Sequence, residues 1–202
     1  RYAINNHYVQ YYDVHLSHIG QDVRYGFLGK IDVAIVEASE ITPEGEVILS
    51  TSVGISPTLM QVADKVIIEL NEAPAGKLTG MHDIYIPATP PYRREIPIYK
   101  VNDRAGSIGV KIDPKKLAGI VRTNDRDHIA AFTPLNDTTR QIGENVAEFL
   151  SHEYRRGAIP KEFLPVQSGV GNIANAVLGA MGDDRNLPAF SMYTEVIQNS
   201  VI

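Results

Sequence analysis

Hydrophobic residues in the first half of the chain form short runs rich in Ile and Val, and turn residues separate the runs. The first two runs are joined by a turn containing Pro and Gly, which predicts a strand, a turn and a strand. A helix is predicted after the second run, because Ser56 can cap it and Pro57 suits its first position. A third run then predicts a buried strand, and strand, helix and strand in succession predict a parallel pair. The three runs are KIDVAIVEASEI, VILSTSVG and DKVIIELN.

The segment after these strands changes character. Residues from Pro87 to Pro97 include four prolines and a basic pair, which predicts an irregular surface loop. The run KLAGIVRTND then predicts one more strand, which ends in polar residues near Asn124.

The period of the hydrophobic pattern becomes helical from residue 136 onward. Asn136 or Asp137 can cap a helix that Gly157 ends. The apolar positions of this helix are Ile142, Val146, Phe149 and Leu150. Beyond it, FLPVQSG predicts a strand, residues 172 to 181 a helix, and FSMYTEVI a further strand. The segment FTPLND before the long helix is a plausible hinge, so we predict one α/β unit over 1–133 and a second over 134–202.

Composition and charge narrow the class of protein. The chain has 202 residues, of which 44% are hydrophobic and 21% charged, which is enough for a globular core. A formal net charge of −5 and the lack of a basic stripe argue against nucleic acid as a partner. No apolar run is long enough to span a membrane, the N-terminus shows no signal pattern, and there are no cysteines. We therefore expect a soluble, cytoplasmic protein with no membrane partner.

The stretch SGVGNIANAV contains Gly169, Gly171 and Ala174 in a Gly-x-Gly-x-x-Ala pattern. It is predicted to lie on the turn between a strand and a helix, where the free N–H groups of the first helical turn favour an anion or an oxyanion. The alternative is that the two glycines only allow the strand and the helix to pack closely. Glu195 follows near the end of the next predicted strand, and in a dinucleotide fold such a residue would bind a ribose hydroxyl.

The amino-acid sequences of these stretches also resemble those of a known protein family. QSGVGNIANAV followed by MYTEVIQNSV is similar to the acetyl-CoA hydrolase/transferase family, the class I CoA-transferases that include succinyl-CoA:acetate and 4-hydroxybutyrate CoA-transferases. Upstream, GKIDVAIVEASEITPEGEV, SVGISPTLMQVADKVIIELNE and DPKKLAGIV resemble the first domain of the same family. The resemblance implies an α/β fold of two Rossmann-like open parallel-sheet units of the CoA-transferase type.

The resemblance also implies a set of site residues. Glu195 falls on the family's nucleophile, and the Gly-Val-Gly segment that binds the thioester oxygen falls on Gly169, Val170 and Gly171, with Asn172 at the start of the helix. Arg126 is the candidate for binding the acceptor carboxylate, the alternative being a surface ion pair with a neighbouring aspartate. Coenzyme A would be a substrate and no cofactor would be bound permanently. HLSHIG offers His15 and His18 without further ligands, so we expect no metal site.

The extent of the match implies a partial protein. Members of the family are longer than this chain, and the part beyond their catalytic strand is absent here. The chain also starts at Arg1 and stops within an apolar pattern. We therefore expect a fragment whose second α/β unit is incomplete, partnered by acyl-CoA and small carboxylic acids, and either a homodimer or joined by a second chain that supplies the missing part.

Three functions are compatible with these residues. The first is a CoA-transferase that acts through Glu195. The second is an acyl-CoA hydrolase of the same family, which differs only in whether water reaches the intermediate. The third, from another class, is an NAD-dependent oxidoreductase built on the Gly-x-Gly-x-x-Ala turn.

Overall fold

The fold is taken from a computed structural model that describes residues 1–127, 133–163, 165–197 and 201. The chain divides into two compact units, Arg1–Asp127 and His128–Ile202. The first unit contains helices α1 to α3 and strands β1 to β5, and the second contains helices α4 and α5. Their bounds are α1 Tyr2–Asn5, α2 Leu16–Arg24, β1 Val33–Ile41, β2 Glu46–Leu49, α3 Ser56–Val62, β3 Lys65–Asn71, β4 Val110–Lys111, β5 Leu117–Thr123, α4 Asp137–Arg155 and α5 Asn172–Asp183.

The first unit is built on a mixed sheet of five strands in the order β4, β2, β1, β3, β5. Strands β1 and β2 form an antiparallel hairpin, as the intervening turn predicts, and β2 also pairs antiparallel with β4. Strand β3 lies between β1 and β5 and is parallel to both. The sequence therefore predicts the α/β class correctly, and β2 and β4 make the sheet mixed rather than wholly parallel.

Strand β3 pairs with a different strand from the one predicted, which was the strand directly before helix α3. The strand that follows helix α3 pairs with β1, from Val33 opposite Lys65 to Ala38 opposite Leu70, and not with β2, which directly precedes the helix. Because the hairpin turns β2 antiparallel to β1, the crossover through α3 returns the chain to the free edge of β1. The order of elements along the chain does not reveal this choice.

The core of the first unit lies against one face of the sheet. Residues alternate along β1, so that Ala34, Val36 and Ala38 are buried, and Met60 of α3 packs against them. Residues 87–97, all of them described, form no helix or strand, as their prolines predict. At the foot of this loop, Asp83 accepts hydrogen bonds from the backbone N–H groups of Ala105 and Gly106, which lower its pKa.

The second unit pairs the two predicted helices. Asn136 caps α4 by accepting a hydrogen bond from the Thr139 N–H at 2.8 Å, and Gly157 follows its C-terminus with φ +78°, where glycine is favoured. The buried stripe of α4 consists of small residues, Gly143, Ala147 and Ser151. Phe149, predicted on the apolar face, is exposed instead.

Small residues line this contact because the two helices approach closely. A Cβ added at Gly143 would lie 2.6 Å from the carbonyl oxygen of Ala176 in α5. Ala147, Phe163 and Met181 form the buried centre of this unit. The helix packing therefore depends on the absence of a side chain at Gly143.

The two strands predicted in the second unit are much shorter than expected. Over the described residues of FLPVQSG and FSMYTEVI, only a parallel bridge between Val166 and Met192 forms. Pro165 has no N–H with which to extend a ladder on its side. The structure does not describe residues 128–132, which directly precede the predicted domain boundary near residue 134. Phe132, the first residue of the predicted hinge FTPLND, therefore lies outside the described residues.

The end of α5 carries an acidic group that links the two helices, and it makes the stability of this unit depend on pH. Asp184 accepts hydrogen bonds from the hydroxyl of the buried Ser151 in α4 and from the backbone N–H of Asn186. These bonds lower the pKa of Asp184 below its ordinary value of 3.8. A carboxyl whose pKa is lower in the folded state stabilises the fold above its unfolded pKa, and this stabilisation is lost as the pH falls through the folded pKa.

We expect the melting temperature of the Asp184→Asn variant to fall less steeply than that of the wild type on acidification below about pH 4. The variant retains part of the hydrogen bonding but has no charge to lose. Thermal unfolding followed by circular dichroism at several pH values measures this difference. Asp183→Asn removes the same charge one residue earlier and serves as the control; an equal change of slope in both variants would contradict the role of the Ser151 pair.

Candidate active site

The glycine turn before α5 has the geometry of a helix start that lacks a capping side chain. Gly171 occupies the N-cap position with φ +130°, a region that residues with a side chain rarely adopt. A Cβ there would meet no atom within 4 Å, so backbone conformation rather than space favours glycine. Val170 is 78% exposed, and the turn therefore faces away from the core.

The same helix start carries the electrostatics that an anion needs. The first N–H groups of a helix have no partner within the helix, and the helix dipole places partial positive charge there. The side chain of Asn172 is already engaged, because its Nδ2 donates to the hydroxyl of Thr133. The Asn172 amide side chain is therefore already bound within the second unit.

A backbone and hydroxyl contact joins the glycine turn to the segment that carries Glu195. The Ser168 N–H donates to Thr194 Oγ1 at 3.1 Å, and the same hydroxyl lies 3.0 Å from the Ser168 carbonyl oxygen, to which it can donate. The same two segments are also joined closer to their N-terminal ends. There the Val166 N–H donates to the Ser191 carbonyl oxygen, and the Tyr193 N–H donates to the Val166 carbonyl oxygen. Glu195 and Gly169 are the residues that directly follow Thr194 and Ser168.

Ser168 and Thr194 were not among the residues that the sequence singled out. Ser168 is only 5% exposed, so its backbone groups need partners inside the protein. Thr194 Oγ1 accepts from its N–H, and its carbonyl oxygen accepts from Gln167 Nε2 at 2.7 Å and lies within reach of the Thr194 hydroxyl, which can donate to it or to the Val196 carbonyl oxygen. The signal that could have identified Thr194 is its position directly before the candidate nucleophile, where a short hydroxyl side chain can bond to the neighbouring turn.

Glu195 has the accessibility that a nucleophile needs. Its side chain is exposed. Over the described parts of the chain, none of the ion pairs includes Glu195. The carboxylate is therefore not held by a neighbouring cation among these residues.

Arg126 belongs to the first unit, where it lines a cavity of about 440 Å³ at the carboxyl ends of β3 and β5. In open α/β sheets this is the edge at which ligands bind. Over residues 1–127, the ion pairs link Lys30 to two aspartates and Arg122 to Glu72, and none includes Arg126. The alternative interpretation, an ion pair with Asp125 or Asp127, is thus not formed. The cavity is lined by Ala73, Pro74, Lys77 and residues 124–127.

Other chemistry is sparse in the part of the chain that the structure describes. There, no group of three or more His, Asp or Glu side chains is arranged to hold a metal ion. The rings of His15 and His18 pack against each other edge to face, with centroids 5.7 Å apart. Over the same residues, no helix combines the length and the apolar character needed to cross a bilayer.

Sequence comparison extends the description of the site to known proteins. The pattern of the acetyl-CoA hydrolase/transferase N-terminal domain matches residues 1–124. The whole chain is 46% identical to the propanoyl-CoA:succinate CoA transferase of Escherichia coli, of which it covers 41%, and 43% identical to the succinyl-CoA:acetate CoA-transferase of Clostridium kluyveri, of which it covers 37%. An acetyl-CoA hydrolase of Candida glabrata is 40% identical over 99% of the chain and 39% of its own length. The chain thus spans about two fifths of the length of these relatives.

Solved structures share the fold. The 4-hydroxybutyrate CoA-transferase of Porphyromonas gingivalis superposes on 94% of the chain with a TM-score of 0.59 and 23% sequence identity, over 38% of its own length. RipA from Yersinia pestis superposes on 99% of the chain with a TM-score of 0.62 and 16% identity, over 37% of its own length. At these identities the similarity describes the fold alone.

Proposed function

Since this chain belongs to the acetyl-CoA hydrolase/transferase family, we propose that it is the part of a CoA-transferase that carries the nucleophile. The enzyme moves CoA between an acyl-CoA thioester, such as acetyl-, succinyl- or 4-hydroxybutyryl-CoA, and a carboxylate acceptor such as acetate. The observation that carries this proposal is the contact of Thr194 with both backbone groups of Ser168, because it links the Glu195 segment to the glycine turn.

The proposed reaction begins at the Glu195 carboxylate. One carboxylate oxygen attacks the thioester carbonyl carbon and gives a tetrahedral oxyanion, which collapses with loss of CoA thiolate to an acyl-glutamyl anhydride. The thiolate then attacks the glutamyl carbonyl carbon and expels the donor acid as a carboxylate, which leaves CoA bound to Glu195 as a thioester. Every bond broken is replaced, so the energy of the thioester is retained.

The second half of the reaction reverses these steps with a new acid. The acceptor carboxylate attacks the enzyme-CoA thioester and expels the thiolate, and the thiolate then attacks the acceptor carbonyl of the new anhydride. An acyl-CoA leaves and the Glu195 carboxylate is regenerated. The steps need no oxidant, no reductant and no bound cofactor, and coenzyme A takes part only as a substrate.

The glycine turn has the role of oxyanion donor in this proposal. Backbone N–H groups near Gly169, Val170, Gly171 and Asn172 meet the negative charge that develops on the thioester oxygen. One such hydrogen bond contributes about 3 to 4 kcal/mol in acyl-transfer sites. Arg126 has a separate role: its guanidinium binds the acceptor carboxylate, for which its planar donors are suited.

Hydrolysis is the second candidate, and the acetyl-CoA hydrolase among the relatives favours it. Water would attack the same anhydride or thioester at Glu195, so the two functions share their first step. An NAD-dependent oxidoreductase has less support, because Val166 forms only a bridge where the dinucleotide fingerprint requires a strand before the turn. For the cell we propose a cytoplasmic enzyme that acts as a homodimer or together with a second chain.

Product analysis tests the proposal and separates the two candidates. The full-length protein is incubated with acetyl-CoA, once alone and once with succinate. We expect succinyl-CoA to appear with succinate and little free thiol to form in its absence, since the acceptor carboxylate is required to complete the exchange. Free CoA thiol formed at the same rate in both reactions would assign the protein as a hydrolase, and the absence of both products would contradict the family's chemistry for this protein.

A further inference from the structure

The loop that carries Arg126 is fixed by side chains on both sides of this residue. It follows β5, and its residues 124–127 lie at the carboxyl end of the parallel strands. The polar side chains of Asn71, at the end of β3, and Thr51, after β2, reach it from neighbouring parts of the sheet. These bonds involve Asp125 and Asp127, the immediate neighbours of Arg126.

Asn71 makes the first attachment through both atoms of its amide. Its Nδ2 donates to the Asp125 carbonyl oxygen at 2.8 Å, and its Oδ1 accepts from the Asp125 N–H at 3.1 Å. Asn71 is only 4% exposed, so its amide must find its hydrogen-bond partners within the protein. A backbone residue held at both its N–H and its carbonyl cannot turn without breaking both bonds.

The orientation of the Asn71 amide is itself determined by its surroundings. Nδ2 also donates to the Glu37 carboxylate on β1 at 2.8 Å, and Oδ1 also accepts from the Ala73 N–H at 3.1 Å. If the amide were rotated by half a turn, its NH₂ group would face two N–H donors and its oxygen would face a carboxylate. Glu37 and Ala73 therefore hold Asn71 in the single orientation that binds Asp125.

Thr51 makes the second attachment. Its hydroxyl donates to the Asp127 carboxylate at 2.6 Å, a short bond to a charged acceptor. Over residues 1–127 no ion pair joins Asp127, or any other carboxylate, to the Arg126 guanidinium. Arg126 thus lies between two fixed residues and remains available to a ligand.

We propose that Asn71 and Thr51 are positioning residues for the acceptor carboxylate, which hold the loop on each side of Arg126 so that its guanidinium faces the cavity. This inference rests on the proposed function, because it assigns Arg126 to the acceptor. The acceptor carries a full carboxylate charge, and so does the donor acid that is released in the first half of the reaction, because the two halves are the reverse of each other. Loss of either attachment therefore lowers the rates of both halves through weaker carboxylate binding, whereas the binding of CoA itself does not depend on this guanidinium.

Steady-state kinetics of the full-length protein test the positioning role. For Asn71→Ala we expect kcat/KM for acetate to fall at least about tenfold, because a displacement of about 1 Å costs up to a hundredfold in positioned reactions. For Thr51→Val, which loses one exposed hydrogen bond, we expect about a fivefold fall. In both variants kcat/KM for acyl-CoA should fall to a similar extent, because the two half-reactions are the reverse of each other, whereas the dissociation constant of CoA should stay within about twofold of the wild type. Thr51→Ser keeps the hydroxyl and should have the wild-type kcat/KM for acetate.

The matched control is Thr79→Val. Thr79 is also exposed and donates to a carboxylate at 2.7 Å, but this carboxylate belongs to Glu40 on β1 and not to the Arg126 loop. It should leave both kinetic constants unchanged. A loss of CoA affinity as large as the fall in kcat/KM for acetate, equal effects of Thr51→Val and Thr79→Val, or wild-type acetate kinetics in both positioning variants would each overturn the proposal.

Hydrogen–deuterium exchange of the 202-residue chain separates this proposal from the proposed function. In Asn71→Ala the amide of Asp125 loses its acceptor, so peptides that contain residues 124–127 should exchange faster than in the wild type or in Thr79→Val. Unchanged exchange would overturn the role of Asn71 whether or not the enzyme is active. If the wild-type protein did not transfer CoA, the proposed function would be contradicted. The hydrogen–deuterium exchange rates would still decide whether Asn71 holds the loop.

Discussion

Glu195→Gln is expected to lower CoA exchange by the full-length protein by at least about 10⁴-fold, while the binding of acyl-CoA changes little. The amide has nearly the shape of the carboxylate, so the exposed site should retain its contacts. The amide oxygen, however, is too weak a nucleophile to form the anhydride with the acyl group. Initial rates of exchange, together with binding of acyl-CoA measured by calorimetry, determine the two effects separately.

Glu195→Asp tests the same assignment by distance. It keeps the charge but withdraws the carboxylate by more than about 1 Å, a displacement that already costs about a hundredfold in positioned reactions. We therefore expect a large loss of rate with this variant as well. A carboxylate that only contributed charge would tolerate this change, so near wild-type exchange by Glu195→Asp would argue against covalent catalysis.

Borohydride trapping identifies the intermediate directly. In the presence of acyl-CoA, an enzyme-CoA thioester at Glu195 would be reduced to an alcohol, and the peptide that contains MYTEV would lose mass. Without acyl-CoA, or in Glu195→Gln, this peptide should keep its mass. Continued turnover with an unmodified peptide would mean that another nucleophile, or none, carries the reaction.

Gly143→Ala is expected to lower the free energy of unfolding of the second unit by about 1 to 3 kcal/mol. The new Cβ would lie 2.6 Å from the carbonyl oxygen of Ala176, and a backbone atom in the middle of a helix cannot rotate away. The gain in helix propensity from glycine to alanine, at most about 1 kcal/mol, is smaller than this cost. Urea unfolding followed by far-UV circular dichroism measures the change.

Gly182→Ala is the matched control for this prediction. Gly182 also lies in a helix of the same unit, but a Cβ there would meet no atom within 4 Å. This variant should be as stable as the wild type or more stable by up to about 1 kcal/mol. If Gly143→Ala were stabilised as well, α4 and α5 would have room to separate, and the close contact would not be a constraint on the unit.

The prediction at Gly143 also concerns the candidate site. Ala176 lies in α5, whose first turn follows Gly171, and a displacement of this helix away from α4 would move the glycine turn with it. We therefore expect the Gly143→Ala variant to transfer CoA more slowly than the wild type even under conditions in which the variant is folded. The stability and the proposed chemistry of the second unit are thus linked through one helix.

Local patterns were sufficient for most elements. The strands β1, β3 and β5 and the helices α3, α4 and α5 were all predicted close to their observed bounds. The reason is that alternation in strands, helical periodicity and caps such as Asn136 involve residues only a few positions apart. The pattern of the glycine turn and the following strand singled out Gly171 and Glu195, whereas Arg126 and the catalytic roles came from the resemblance to a family, and these roles remain predictions.

Contacts between distant residues were decided only by the tertiary structure. The pairing of β3 with β1 rather than β2, the single bridge at Val166, and the exposure of Phe149 all depend on which surfaces meet after the chain has folded. The same is true of the Thr194 contact with Ser168 and of the Asn71 attachment to Asp125. A hydroxyl or an amide has no periodicity along the sequence, and the partner that satisfies it is determined by burial, since a buried polar group must find a hydrogen bond within the fold.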